Sequence, residues 1–149
     1  MSMQSSSKPA ATETAMDAIT TLHIRSVDTL AGFAKMVEKA EPDFRPVAED
    51  FRALHARHAD RLARILTAHG RTPDQDGTFM ATVNATVVSM RAFFDEIDED
   101  VLTAIHNGED YVLAAFDDAL AQPLPVAEVS EIAAMRDELR TLLSQNAVV

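Results

Sequence analysis

The sequence predicts an all-α protein: a four-helix bundle in which a shorter helix crosses between two antiparallel hairpins. Three observations carry this. Apolar residues recur at spacings of three and four along successive segments, the period of an amphipathic helix. Only four glycines and six prolines punctuate the 149 residues, too few turns for a many-stranded β fold. The apolar residues are mainly Ala, Leu, Val, Ile and Met with some Phe, with no Trp and one Tyr, and such a composition favours helices.

The elements follow in order. Residues 1 to about 13 are small, polar and unpatterned, and a disordered tail is expected there, ahead of a single domain from 14 to 149. Thr14 and Asp17 give a capping-box-like start. Ile19, His23/Ile24, Val27, Leu30, Phe33/Ala34 and Val37 then mark a helix to about Ala40. "EPD" breaks it, with Asp43 as the expected N-cap and Pro46 tolerable in a first turn. Val47, Phe51, Leu54, His58, Leu62, Ile65 and Leu66 form the second stripe, and Gly70 stands where a left-handed cap belongs. The connection between these two helices is short, so they are antiparallel neighbours.

"GRTPDQDG" is a loop. A shorter helix is expected from about Thr78 to Asp95, its stripe being Phe79, Met80, Val83, Val87, Met90 and Phe94. Asp98 caps a further helix to about Ala121, with Leu102, Ile105, Glu109, Val112/Leu113, Phe116 and Leu120 facing in. "QPLP" ends it. The last helix runs from about Pro125, at its first turn, to Gln145, with Val129, Ile132/Ala133, Leu139, Leu142 and Leu143 inward. The segment holding the short helix is long enough to carry the chain from the second long helix to a parallel partner.

Charge and composition exclude several function classes. With 24 acidic and 13 basic residues the net charge is −11, which disfavours nucleic acid and anionic membrane surfaces. There is no cysteine, so disulfides, Fe–S clusters, thiolate zinc sites and cysteine nucleophiles are excluded. No apolar run approaches a membrane span, and the first residues carry no signal-peptide pattern, so a cytoplasmic protein is expected. No Gly-x-Ser-x-Gly elbow and no glycine-rich phosphate loop is present. The phosphotransfer pattern of a histidine followed on one face by Lys and Gly is missing too, so the sequence leans away from an enzyme.

The stretch "NGEDYVLAAFDDAL" resembles part of a family of small bacterial ferritin-like four-helix-bundle proteins, a domain of unknown function. "GF" at Gly32–Phe33, "RHADRL" and "LTAHGRTPDQDG" are similar to that family's first helix, second helix and following loop. The resemblance covers about residues 20 to 145 and implies a ferritin-like bundle with a helical crossover. Ferritin-like relatives that hold two irons use a Glu on one helix and Glu-x-x-His on the next, repeated in the second hairpin. None of the five histidines here has Glu or Asp three residues before it, and Ala31 occupies the first-helix position beside Gly32. The departure argues against di-iron redox chemistry.

What remains is His55-x-x-His58 on the second helix and His106-x-x-Glu109 on the fourth. These spacings place each pair on one helical face. Two imidazoles and a carboxylate would suit Fe²⁺, Zn²⁺ or Mn²⁺, so a divalent metal ion held by His55, His58, His106 and Glu109 is one reading. The other, which the sequence favours, needs no cofactor: His58 and Glu109 fall on core stripes and bond each other, because a buried carboxylate needs a partner, while His55 and His106 stand at the stripe edge in water. Glu38-x-x-Glu41 and Glu128-x-x-Glu131 are read as solvated charge. The helix from Thr78 to Asp95 is apolar nearly all round, and a homo-oligomer assembled through it is expected.

Overall fold

The computed structural model describes residues 3–73 and 99–146. Four α-helices account for nearly all of them: α1, Met3–Lys39; α2, Arg45–Ala68; α3, Glu99–Leu120; and α4, Val126–Gln145. No strand occurs among the described residues. The short helix expected from Thr78 to Asp95, with the oligomer surface assigned to it, and the Asp98 cap lie outside the described residues.

The helices pack as a ring in the order α1, α2, α4, α3. Polar contacts fix their directions. Arg71, just past the end of α2, bonds Asp17 in the N-terminal half of α1 at 2.7 Å. His69, also at the end of α2, bonds Glu128 at the start of α4. At the other end of the bundle His106, early in α3, donates to the carbonyl of Asn146, just past α4, at 3.0 Å. Neighbours are therefore antiparallel, while α2 and α3 occupy opposite corners and run the same way. The chain leaves the bundle at one end and re-enters at the other, which is the topology for which the sequence expects a long crossover.

Helix boundaries agree with the expected ones to within about two residues, the usual uncertainty of such ends, with three differences. α1 begins at Met3, not near Thr14, so its helical backbone runs through the expected disordered tail. The tail has no amphipathic pattern to reveal it, but once a helix is nucleated each further residue adds a hydrogen bond. Asp43 is not the cap of α2. Phe44 is, with no side-chain bond, because Phe44 N–H and Arg45 N–H already reach the Glu41 carbonyl at 3.0 and 2.9 Å. Pro125 caps α4 instead of starting it.

Gly70 fulfils its expected role. It is at φ +82°, its N–H reaches the Thr67 carbonyl at 3.0 Å, and Arg71 N–H reaches that of Leu66 at 2.9 Å. This double bond pattern closes the last turn of α2 and satisfies its orphan carbonyls. A Cβ at Gly70 would meet nothing within 4 Å, so Gly70→Ala carries only the backbone cost of a left-handed residue. A loss of about 1–2 kcal/mol is expected in urea unfolding. No loss would mean that the turn relaxes.

The core is built from the interior stripes. Phe51, Leu54, Leu62, Ile65 and Leu66 of α2 face it as expected, with Ile105, Val112 and Phe116 of α3. On α1 the buried stripe is Ala15/Met16, Ile19, Leu22/His23, Ser26, Phe33 and Met36, so Ser26 is interior while Val27 is only half-buried. Hydropathy picks Val27 over its polar neighbour; packing against two other helices does not. On α4 Met135 joins Ile132, Leu139 and Leu143 in the interior, and Val129 and Leu142 are partly exposed.

Arg25 ties α1 to α3. Its guanidinium carbon lies 3.7 Å from the centroid of the Tyr111 ring, and its Nη1 donates to the Tyr111 carbonyl at 2.8 Å. Both groups are near the surface, so Arg25→Ala is expected to cost about 1 kcal/mol. Tyr111 is the one tyrosine and there is no tryptophan, so its fluorescence should change in the same variant. A variant with unchanged fluorescence and melting would show that the stacking does not hold in solution.

Candidate functional site

The centre of the bundle is polar at one level. His55, on α2, is fully buried, and so is Glu109, on α3, at 1% exposure. The His55 Nε2 lies 2.9 Å from each of the two Glu109 oxygens. Its N–H thus points between them, a forked bond to a carboxylate across the diagonal of the ring. Phe33 stacks on the His55 imidazole, with ring centroids 5.9 Å apart and planes 13° apart, and Phe51 stacks on Phe33 at 5.0 Å. These aromatic rings keep the pair dry and fix the imidazole plane.

One turn on, His58 is also fully buried. Its Nε2 donates to Glu138 of α4 at 3.1 Å, and its ring meets Phe116 edge-on with centroids 6.0 Å apart. Glu138 reaches outward, with its side chain 40% exposed, and its other oxygen accepts from Arg61 at 3.4 Å. Arg61 also donates to Glu131 at 3.3 Å. The His55 and His58 rings are themselves near-perpendicular, 6.4 Å between centroids. Neither Nδ1 has a hydrogen-bond partner.

The electrostatics follow from this burial. Desolvation pushes the His58 imidazole down to about 4, against the opposing pull of Glu138, so it is neutral near pH 7. Burial alone would raise Glu138, but the bond from His58 and the nearby Arg61 charge outweigh it and hold the carboxyl below the usual range. Away from this centre, burial lowers His23 and pushes the Asp28 carboxyl up to about 6.

The structure brings His55 and Glu109 together and places His58 one turn further along the same interior. The partner of Glu109 is His55, not His58, so that expected pairing is corrected. His55 is interior, not at a wet edge, because the α2 stripe is wide enough to bury two successive positions on the diagonal side. His106 does not join: it is half-buried and spends its Nε2–H on the Asn146 carbonyl. Glu128 and Glu131 are not simply solvated, since they accept from His69 and Arg61.

Glu138 is the residue that sequence reasoning missed. It lies one heptad after Glu131, beside the Met135–Leu139 stripe, and no local pattern there separates it from the wet residues at the edge of that stripe. Among the described residues no three His, Asp or Glu side chains converge on a single point. None of their helices is long and apolar enough to cross a membrane.

These features define an all-α bundle whose interior carries two crossed imidazole–carboxylate pairs. The chain belongs to the family described as "Domain of unknown function (DUF2383)", whose model matches residues 14–122. That match takes in α3 and ends before α4. Comparison with curated proteins and with solved structures gave no match.

Proposed function

We propose that this is a ferritin-like bundle that acts without catalysis, by associating with copies of itself or docking a protein partner. The observation that supports this reading best is that the central carboxylates are already held by protein donors. Glu109 is held by His55, and Glu138 by His58 and Arg61, so each carboxylate has a protein donor. At this level α1 presents Phe33, stacked on His55, and the first-helix position beside Gly32 that would carry a carboxylate in a di-iron bundle is Ala31. A buried polar pair of this kind fixes which helix faces meet, a specificity device more than a source of stability. The acidic surface does not suit nucleic acid.

Light scattering of the purified chain tests self-association. A dimer or larger species is expected at high micromolar concentration, and a strict monomer there would leave only the docking of a different partner.

One observation favours a second reading, divalent-metal binding. The His55 nitrogen faces both oxygens of Glu109 at 2.9 Å, with His58 and Glu138 a turn away. With its proton on Nδ1 instead of Nε2, the imidazole could share an ion with that carboxylate, and the ion would supply Lewis acidity. Calorimetric titration with Fe²⁺, Zn²⁺ or Mn²⁺ separates the readings. No binding tighter than about millimolar is expected from the structural pair, and a micromolar constant, worth about −8 kcal/mol, would establish the metal site instead.

A further inference from the structure

The last helix is attached differently from the others. α4 buries four side chains in its 20 residues, Ile132, Met135, Leu139 and Leu143, whereas α2 buries nine in 24. Its anchors are polar and spread along its whole length. His69 bonds Glu128 at one end, Arg61 and His58 hold Glu131 and Glu138 in the middle, and His106 bonds the Asn146 carbonyl at the other end. Arg136 adds a bond to Asp117 of α3 at 2.8 Å. A groove of about 640 Å³ runs along the α2–α4 seam beside Glu138, between Asp50 and Arg57 on one side and Asp137 on the other.

The connection from α3 is equally distinctive. Gln122–Pro125 reads "QPLP", and two of its four residues have no N–H to donate. Polar pairs exchange readily with water, and an element with few buried apolar contacts is the kind that opens below the energy of global unfolding. All the anchors of α4 are on α2 and α3, and the same groups exist on every copy. An α4 that leaves its own bundle can therefore remake each contact in another, losing nothing but the path of one loop.

We propose that α4 is a detachable helix that two copies of the chain exchange, each completing the other's bundle. The proposal rests on the self-association reading and gives it a specific surface, the α2–α3 groove that α4 fills. Two full-length preparations test it, one carrying Asp117→Cys and the other Arg136→Cys, in a chain that has no cysteine of its own. They are mixed at high micromolar concentration, incubated, diluted and treated with a short bismaleimide. Peptide masses joining position 117 of one chain to position 136 of the other are expected after incubation, and not when the preparations meet only at the moment of treatment. Absence of that linkage after incubation, while a chain carrying both substitutions links internally, overturns the exchange.

Hydrogen exchange on the unmodified chain provides an independent arm. Amides of α4 are expected to exchange at least 10-fold faster than the slowest of α1 and α2, and Glu128→Ala with Glu138→Ala should widen that gap. Exchange of all the helices as one cooperative unit overturns the proposal even if the thiol variants fold poorly. A chain that stays monomeric by light scattering removes self-association and exchange together. One that dimerises without 117–136 linkage keeps the former and loses the latter.

Discussion

Glu109→Ala is expected to destabilise the protein by about 3–5 kcal/mol, the usual result of removing one partner from a buried hydrogen-bonded pair. The reason lies in what stays behind. The His55 imidazole remains fully buried beneath Phe33, with its Nε2–H facing a void and its Nδ1 already without a partner. The stacked rings hold it in place. The informative companion is His55→Phe with Glu109→Leu, which removes both polar groups and keeps the stacking surface. That double variant is expected to be within about 1 kcal/mol of the parent, or to gain stability, as apolar replacements of buried pairs often do. Urea unfolding of the three proteins gives the comparison. A double variant as unstable as Glu109→Ala would show that the pair does more than satisfy itself. One that lost a bound ion would favour the metal reading.

Acidification is expected to weaken the fold. His58 is held to about 4 in the folded chain, against 6.5 when unfolded. Between those values the unfolded chain binds the proton and the folded chain does not, so stability falls as pH drops from about 6.5 towards 4. His23, buried and also lowered, acts in the same direction. Asp28 opposes them. Its carboxyl is at about 6 when folded and 3.8 when unfolded, so the folded chain takes up that proton first and gains stability as pH falls through 6. His58 and Asp28 nearly offset each other below pH 6, so the net loss rests on the His58 fall between 6.5 and 6 and on His23, which adds to it. Urea midpoints at pH 7.5, 6.5, 5.5 and 4.5 should decline in that order, and less steeply for His58→Phe. A midpoint that rose on acidification would contradict the assignment of His58 as a neutral buried imidazole.

The contrast between these two histidines shows where the site was legible and where it was not. The i, i+3 spacing of His55 and His58 marked them as neighbours on one face, and Glu109 stood out as a carboxylate on an apolar stripe. The residues of the centre could be named on that basis. Their pairing could not, because two histidines one turn apart both fit the α2 stripe, and which one lies opposite Glu109 depends on the relative height of α2 and α3. That height is set by packing between helices, by Phe116 of α3 against His58 across the diagonal and by Phe33 of α1 against His55, and no local pattern encodes it. Glu138 was overlooked for a related reason. Alone on α4 it reads as a wet residue at the edge of the stripe, and it becomes part of the site only when α2 brings His58 and Arg61 against it.

By itself, the sequence determined the four described helices apart from the start of α1, the short antiparallel connections and the need for a long path between α2 and α3. Each of these rests on spacing, on turn residues or on chain length, which are local quantities. Even Gly70 belongs here, since a left-handed residue after an apolar stripe has few other uses. The tertiary structure alone decided which polar groups are dry and whom they meet. It placed Ser26 inside and Val27 half outside, gave Glu109 to His55 and Glu138 to His58, and sent His106 to the far end of α4. Burial and pairing are properties of three or four helices at once. A helix can state which face it offers, but only the faces packed against it determine what that face will hold.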